Sequence, residues 1–362
     1  MTFRKGGQPA KGEHWYLEGT KLEVVNRYKY LGYVFTTRLS LNTALEDLCI
    51  KGKQKSLHIL KAMWRLQSMK TNVFIRMLEA QVVPTLLYGA ELWGLENPRK
   101  VETAHAFALK KFLGLSTKTP NHMVYGDLGR FPMQVYSCVR AIKYWLRLSR
   151  MEPGRLPYQA YLMLLRSNIS GKPNWASSVK ELLQKLGFGY VWYNGGVENP
   201  TGFIKQLKRR LKDCFMQEWN SVNKTSERYQ WYSTFKTSMG LEDYLNIVEI
   251  KKFRDILIRF RFGINDLAVN RSFRTNLDLN CPFCQFKDNE EHLLFECEIY
   301  EHIRRKYLQT NHCKGSKLRF CKYWMTTTDA TKVRAFAMFL FYVFKLRSEC
   351  LYLMENECRM IE

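Results

Sequence analysis

Acidic residues are scarce in this chain: 33 Asp and Glu stand against 57 Lys and Arg over 362 residues, a formal charge of +24. Such an imbalance calls for a polyanionic partner, or at the least permits one. The basic residues are spread through the whole sequence rather than gathered in one juxtamembrane block, which favours nucleic acid over a membrane surface. Long apolar runs are missing too. The longest, Ala335–Phe344, is closed by Lys345 and Arg347, and ten residues are about half of a bilayer span. It reads as a buried core helix. The opening "MTFRKGGQPAKGEHW" is polar and unlike a secretory signal, so a reducing compartment is expected and a disulfide framework is not. No P-loop and no Ser/His/Asp or Cys/His arrangement is found, which removes the usual sequence signs of catalysis. Internal repeats and low-complexity tracts are absent as well.

What is present is enough apolar material for a core. Hydrophobic residues make up 46% and aromatics 14%, which excludes a disordered tail and allows two or three domains. The first forty residues read as strands. "HWYLEGTKLEVV" carries Gly19 between two apolar stretches, as a hairpin would, and "YKYLGYVF" carries Gly32 where a turn fits. Helical spacing follows. Phe74, Met77, Leu78 and Val82 share a face that Pro84 interrupts; Pro98 and Gly114 bracket another helix. Val179, Leu182, Leu183 and Leu186 form an apolar stripe, with Ser178 and Glu181 at capping-box spacing and Gly187 as its stop. Phe253, Ile256, Leu257 and Phe260 repeat the stripe, and a long helix runs from Thr331 to about Glu357. "NGGVENPTG", at 194–202, is the best candidate for a domain boundary. The fold class expected is mainly α, with a small N-terminal β-hairpin element.

Three of the ten cysteines fall in "CPFCQFKDNEEHLLFEC". The spacing C-x2-C-x7-H-x4-C offers Cys281, Cys284, His292 and Cys297 as ligands of a tetrahedral Zn²⁺. Four protein ligands leave no open position, so the expected zinc is structural. His302, His312 and Cys313 are nearby substitutes, and the other cysteines, Cys138 and Cys214 among them, are expected as small buried apolar residues.

Two helices carry basic faces. In "IKQLKRRLKDCF" the apolar positions are Ile204, Leu207, Leu211 and Phe215, leaving Lys205, Lys208, Arg209, Arg210 and Lys212 for the surface. "IKKFRDILIRFRF" does the same with Lys251, Lys252, Arg254, Arg259 and Arg261. Either face alone reads as a solvated surface; both in a chain of this charge point to phosphate binding. Arg271, Arg274, Arg304 and Arg305 flank the cysteine cluster and extend the candidate surface.

"RYKYLGYVF", "VVPTLLYGAELWG", "LKKFLGLSTKTPNHMVYGDLGRFPM" and "RFRFGINDLAVN", followed by the cysteine cluster, together resemble the C-terminal half of reverse transcriptases from non-LTR, LINE-type retrotransposons. The resemblance covers essentially the whole chain. It implies a palm remnant over 1–40, whose hairpin at Tyr30, Leu31 and Gly32 corresponds to the primer grip. It further implies a helical thumb over 41–119, a basic helical linker over 120–270, a CCHC zinc knuckle over 271–310 and a C-terminal helical segment over 311–362. The partner implied is RNA template or DNA, gripped mainly through phosphates, and the location implied is the nucleus, with the cytoplasm as the alternative.

One departure limits this. Polymerases of the family hold two metal ions with a Y/F-x-D-D pair and a third Asp, and this chain has no Asp-Asp dipeptide. The expectation is therefore a nucleic-acid-gripping portion of the enzyme that does not polymerise alone. The alternatives are a stand-alone nucleic-acid-binding zinc protein derived from a retroelement and, more weakly, a protein–protein adaptor. Apolar surface and an unpaired strand edge are expected around residues 22–35, where a palm would pack.

Overall fold

The structure, a computed structural model, describes residues 14–37, 40–66, 70–96, 99–169, 173–226, 229–271, 279–308 and 316–361. Pro98, Arg274, His312 and Cys313, and the first thirteen residues, lie outside these ranges. The protein is mainly α-helical with a small β element at its N-terminal end. Strands β1 (Trp15–Leu17) and β2 (Thr20–Leu22) pair antiparallel, as do β3 (Arg27–Tyr30) and β4 (Tyr33–Thr36). The register sets Leu17 opposite Thr20 and Tyr30 opposite Tyr33, so each hairpin turns in two residues. Both central residues of such a loop sit at positive φ. Glu18 and Gly19 do so at 47° and 80°, Leu31 and Gly32 at 46° and 81°. Glycine meets that demand freely; Leu31 is a branched side chain in the left-handed region.

Helices follow: α1 (Asn42–Arg65), α2 (Thr71–Met77), a π turn (Leu78–Val82), α3 (Val83–Leu86), α4 (Ala90–Trp93), α5 (Arg99–Phe112), α6 (Asn121–Leu128) and α7 (Met133–Leu148). Next come α8 (Leu156–Ile169), α9 (Trp175–Lys185), α10 (Gly189–Tyr193), α11 (Pro200–Thr225), α12 (Gln230–Ser233), α13 (Tyr244–Ile247), α14 (Lys251–Arg261) and α15 (Ala268–Arg271). The last are α16 (Glu290–Phe295), α17 (Glu301–Leu308), α18 (Lys317–Thr326) and α19 (Ala330–Ile361). Pro84 does not stop the helix, contrary to the sequence expectation. The π turn, where the Val83 amide reaches back to the Leu78 carbonyl, carries the chain past a ring that would meet the Ala80 carbonyl in a regular helix.

The chain forms two compact units. One holds the described residues up to Ile59, with Arg76–Ala108 and Phe131–Phe215; the other holds Leu60–Ile75, Leu109–Arg130 and the chain from Met216 onward. The 41–119 and 120–270 stretches therefore each contribute to both units. The 194–202 stretch is no boundary. It lies inside the first unit, where Val197 packs on the core and Arg150 donates to the Val197 and Glu198 carbonyls.

In that first unit, α7 to α11 surround a core of Trp145, Leu146, Val179, Leu183, Val191, Phe203 and Leu207. The Trp145 indole donates to the Tyr161 hydroxyl at 3.0 Å, satisfying its one polar atom. The predicted α9 stripe is buried, but its cap sits one turn earlier than Ser178. Asn174 accepts from the Ala176 and Ser177 amides, and Ser177 returns a bond to the Asn174 amide. Between α4 and α7, Gly94 lets the backbones touch. A Cβ there would lie 2.5 Å from the Ser137 carbonyl oxygen.

In the second unit Phe74 stacks on Phe112 at 4.1 Å. Around buried Asp127, the Tyr232 and Tyr244 hydroxyls donate at 2.8 and 2.7 Å and Arg261 donates at 3.2 Å. Burial first and the Asp127 carboxylate second push both tyrosines well above their ordinary pKa. The buried face of α14 keeps Leu257 and Phe260 of the expected apolar stripe, leaves Phe253 and Ile256 half-buried, and adds Arg254, Ile258 and Arg261. The arginines hold core positions because each has a partner there: Arg254 lies over the Phe112 ring at 4.8 Å, and Arg261 pairs with Asp127 and Glu242. Helix α19 buries Val333, Phe336, Leu340, Val343 and Arg347 at helical spacing. The apolar run Ala335–Phe344 is thus a core helix, and no helix among the described residues is long and apolar enough to cross a membrane.

Candidate metal centre and basic surfaces

Two short elements bring the cysteine cluster together. Residues 279–288 form a small hairpin, in which Asn280 bridges Lys287 and the Asp288 amide donates to the Leu279 carbonyl. The Cys281 amide donates to the Phe286 carbonyl and the Gln285 amide to the Cys281 carbonyl at 3.0 Å, with Gln285 at φ 62°. This tight turn presents Cys281 and Cys284 side by side. Asn289 then caps α16 by accepting from the His292 amide at 2.8 Å, which fixes His292 on the first turn. Cys297 follows the end of α16, with its amide bonded to the His292 carbonyl.

The four ligand atoms lie within 4.8 Å of one another. The Cys281 and Cys297 sulfurs are 3.9 Å apart, those of Cys284 and Cys297 4.0 Å, and Cys284 Sγ lies 3.1 Å from His292 Nε2. A tetrahedral centre with metal–sulfur bonds of about 2.3 Å has sulfur–sulfur edges of roughly 3.8 Å. These four residues could hold a metal ion, and the spacing is compatible with zinc. The amides of Phe283, Phe286 and Ile299 bond to Cys281, Cys284 and Cys297 respectively, two residues on in each case. Such bonds stabilise thiolates. Without an ion, the shared hydrogen bond to Cys297 holds the Cys281 thiol down to about 4 and drives Cys297 well above its ordinary value.

His292 Nδ1 faces a Glu296 carboxylate oxygen at 3.2 Å. With its proton on Nδ1, bonded to that carboxylate, the imidazole would offer the Nε2 lone pair to a metal ion. Glu296 also binds Lys317, and these contacts, Lys317 first and His292 after it, hold its carboxyl below the usual range. The sequence reading missed Glu296, although its i+4 spacing from His292 is a legible signal.

Buried polar pairs tie the cluster into the second unit. Asp288 pairs with Arg347 of α19, Glu290 accepts from Asn270 at 2.7 Å, and Arg304 donates to the Cys297 carbonyl. His302 stands on α17, outside the four-ligand group. Cys138 is buried as expected, but Cys214 is exposed on α11, since its position faces away from the core taken by Leu207 and Leu211.

The basic candidates divide. On α11, Lys205, Lys208, Arg209 and Arg210 are exposed and Lys212 half-buried. The Lys208 and Lys212 ammonium nitrogens lie 5.6 and 4.6 Å from the Tyr136 and Phe131 ring centroids, and the Arg210 guanidinium lies 6.0 Å from that of Phe188, so these charged heads rest over rings. On α14, Lys252 and Arg259 are exposed and Lys251 pairs with Asp255. Arg254, Arg261 and Arg304 are corrections: all three are buried and hold the core or the cluster together, so they offer no phosphate contact. Arg305 is exposed and pairs with Glu301 at 2.7 Å. The side chain of Arg271 lies outside what the structure describes, as does Arg274.

At the N-terminal hairpins, Tyr30 and Leu31 are exposed, Leu31 at 75%, and the Tyr88 hydroxyl donates to the Leu31 carbonyl at 2.6 Å. Gly32 completes the turn. Leu22, Val24 and Tyr28 are also exposed, as the expectation for 22–35 has it, and Trp15, Tyr16 and Leu17 extend the bare apolar surface ahead of that stretch. No protein-family model, curated protein or solved structure matches the chain.

Proposed function

We propose that this chain is a nucleic-acid-gripping portion of a LINE-type reverse transcriptase, stabilised by one structural zinc at Cys281, Cys284, His292 and Cys297. Three sulfurs and one imidazole make a closed, soft ligand set that suits Zn²⁺ and leaves no position for substrate. The observation that carries nucleic-acid binding is the face of α11, where Lys205, Lys208, Arg209 and Arg210 stand exposed together. Arg209 meets Asp213 at 3.9 Å on open surface, a contact worth little against phosphate. The bare aromatic hairpins support the same reading, because it supplies a palm to cover them.

Binding of a labelled primer–template, followed by anisotropy across a salt series, tests this. If about six to eight phosphates are neutralised, affinity falls by roughly three to four orders of magnitude between 50 and 200 mM salt. Replacing Lys208, Arg209 and Arg210 with Gln flattens that slope. An unchanged slope would reduce the face to a solvated surface, and absence of binding at low salt would end the reading.

A further inference from the structure

A groove of about 300 Å³ lies between α17 and α19, a volume in the range of small-ligand sites. Helix α17 contributes His302, Lys306 and Tyr307; α19 contributes Tyr342, Lys345 and Leu346. The spacing explains the groove: residues 302 and 306 share one face of α17, and residues 342, 345 and 346 share one face of α19. Tyr307 and Tyr342 stack across the seam, their ring centroids 5.6 Å apart and their planes 11° from parallel. This pair is not sealed in a core. Tyr342 is 38% exposed, Lys306 reaches over the Tyr307 ring at 5.4 Å, and Lys345 is 58% exposed.

We propose that this groove is a subsite for one nucleotide of a single-stranded nucleic acid, its base stacked on the tyrosine pair and its phosphates on Lys306 and Lys345. The proposal rests on the nucleic-acid reading above and names a place for it. A flat aromatic platform flanked by ammonium groups is the arrangement that takes an unpaired base together with its backbone. A duplex hides its base faces and gains nothing from the platform. An acidic peptide would use the lysines but leave the stacked rings without a partner. Lys345 meets Glu349 at 3.7 Å on the exposed surface, a contact that a phosphate displaces at little cost. The subsite also depends on the metal centre. Helix α17 begins four residues after Cys297, and Arg304 on that helix donates to the Cys297 carbonyl.

The test uses the full, zinc-loaded chain and a fluorescein-labelled oligothymidylate of about ten nucleotides. Tyr342→Ala weakens binding of the single strand by about five- to a hundredfold, the range of one lost base stack. Tyr342→Phe keeps the ring and stays within about twofold of the parent. Replacing Lys306 and Lys345 together with Gln lowers the log–log salt slope by about 1.4, or roughly 0.7 for each phosphate on a single strand. A blunt duplex of the same length binds the parent and Tyr342→Ala alike. The subsite is overturned if Tyr342→Ala binds the single strand like the parent, or if Tyr342→Phe loses as much as Tyr342→Ala. It is also overturned if polyglutamate binds the groove and loses that binding in Tyr342→Ala, since the site would then be one for acidic peptide. A parent chain that binds no nucleic acid at low salt ends both this proposal and the reading beneath it. A parent that binds normally beside an unaffected Tyr342→Ala ends the subsite alone.

Discussion

Asp288, at the end of the cysteine hairpin, and Arg347, near the middle of α19, form a two-pronged pair that is closed to water. One guanidinium nitrogen donates to Oδ1 at 3.2 Å and the other donates to Oδ2. The Tyr300 hydroxyl and the Ala268 amide join the same pair at 3.3 and 2.8 Å. Burial pushes the Asp288 carboxyl above its ordinary value, and Arg347 draws it back. The pair therefore holds the cysteine cluster against α19.

Removing one partner leaves a buried charge alone, which costs about 3–5 kcal/mol. Asp288→Ala and Arg347→Met are each expected to destabilise the second unit by about that much in urea unfolding. Asp288→Leu combined with Arg347→Met removes both charges, and it is expected to recover most of the loss. Three variants each as stable as the parent would show that the pair is dispensable.

Zinc content gives the next prediction. One Zn²⁺ per chain is expected, with metal lost in Cys281→Ser and in Cys284→Ser and released as acid protonates the thiolates. Glu296→Gln is milder, because it only loosens the hold on His292 Nδ1: affinity is expected to fall by about 10- to 100-fold with stoichiometry kept. Elemental analysis and competition with a chromophoric chelator read both effects. A full zinc complement in both serine variants would reject the ligand set.

Local patterns in the sequence carried several of the helices (α5, α9, α14 and α19 among them), the two hairpin turns and the four candidate ligands, because each depends on residues within a few positions of one another. The roles of Arg254, Arg261 and Arg304 were not legible. At helical spacing an arginine beside an apolar stripe reads as surface, and what buries Arg261 is Asp127, more than a hundred residues earlier. Arg254 likewise depends on Phe112. Burial of a cation is decided by a distant partner, and one sequence does not name it. The groove between α17 and α19 was hidden for the same reason. Tyr307 and Tyr342 meet only once both helices are docked.

Polymerisation is expected to be absent. Nucleotide addition needs carboxylates that place two metal ions on the attacking hydroxyl and the triphosphate, and the chain has no Asp-Asp dipeptide. Purified protein given primer–template, nucleotides and Mg²⁺ or Mn²⁺ should extend nothing. Template-dependent extension that disappears on denaturation and is absent from mock preparations would refute this.

Cysteine chemistry is expected to separate the candidate metal centre from the core. Burial pushes the Cys138 thiol up to about 11 and the Cys321 thiol up to about 12. A raised thiol pKa means less thiolate at a given pH, so at pH 8 about one Cys138 in a thousand carries the reactive form, and Cys321 fewer. Both side chains are also shut away from reagent, whereas Cys214 is open to it. Iodoacetamide at pH 8 should therefore label Cys214 well before Cys138 and Cys321, which stay protected until the protein unfolds. Cys281, Cys284 and Cys297 should be silent while metal holds them. A chelator should then expose all three together, at a rate set by metal release, with Cys138 and Cys321 still protected. Peptide mass spectrometry with and without chelator reads this directly. Labelling of the three cluster cysteines at the same rate in both conditions would mean that no metal guards them.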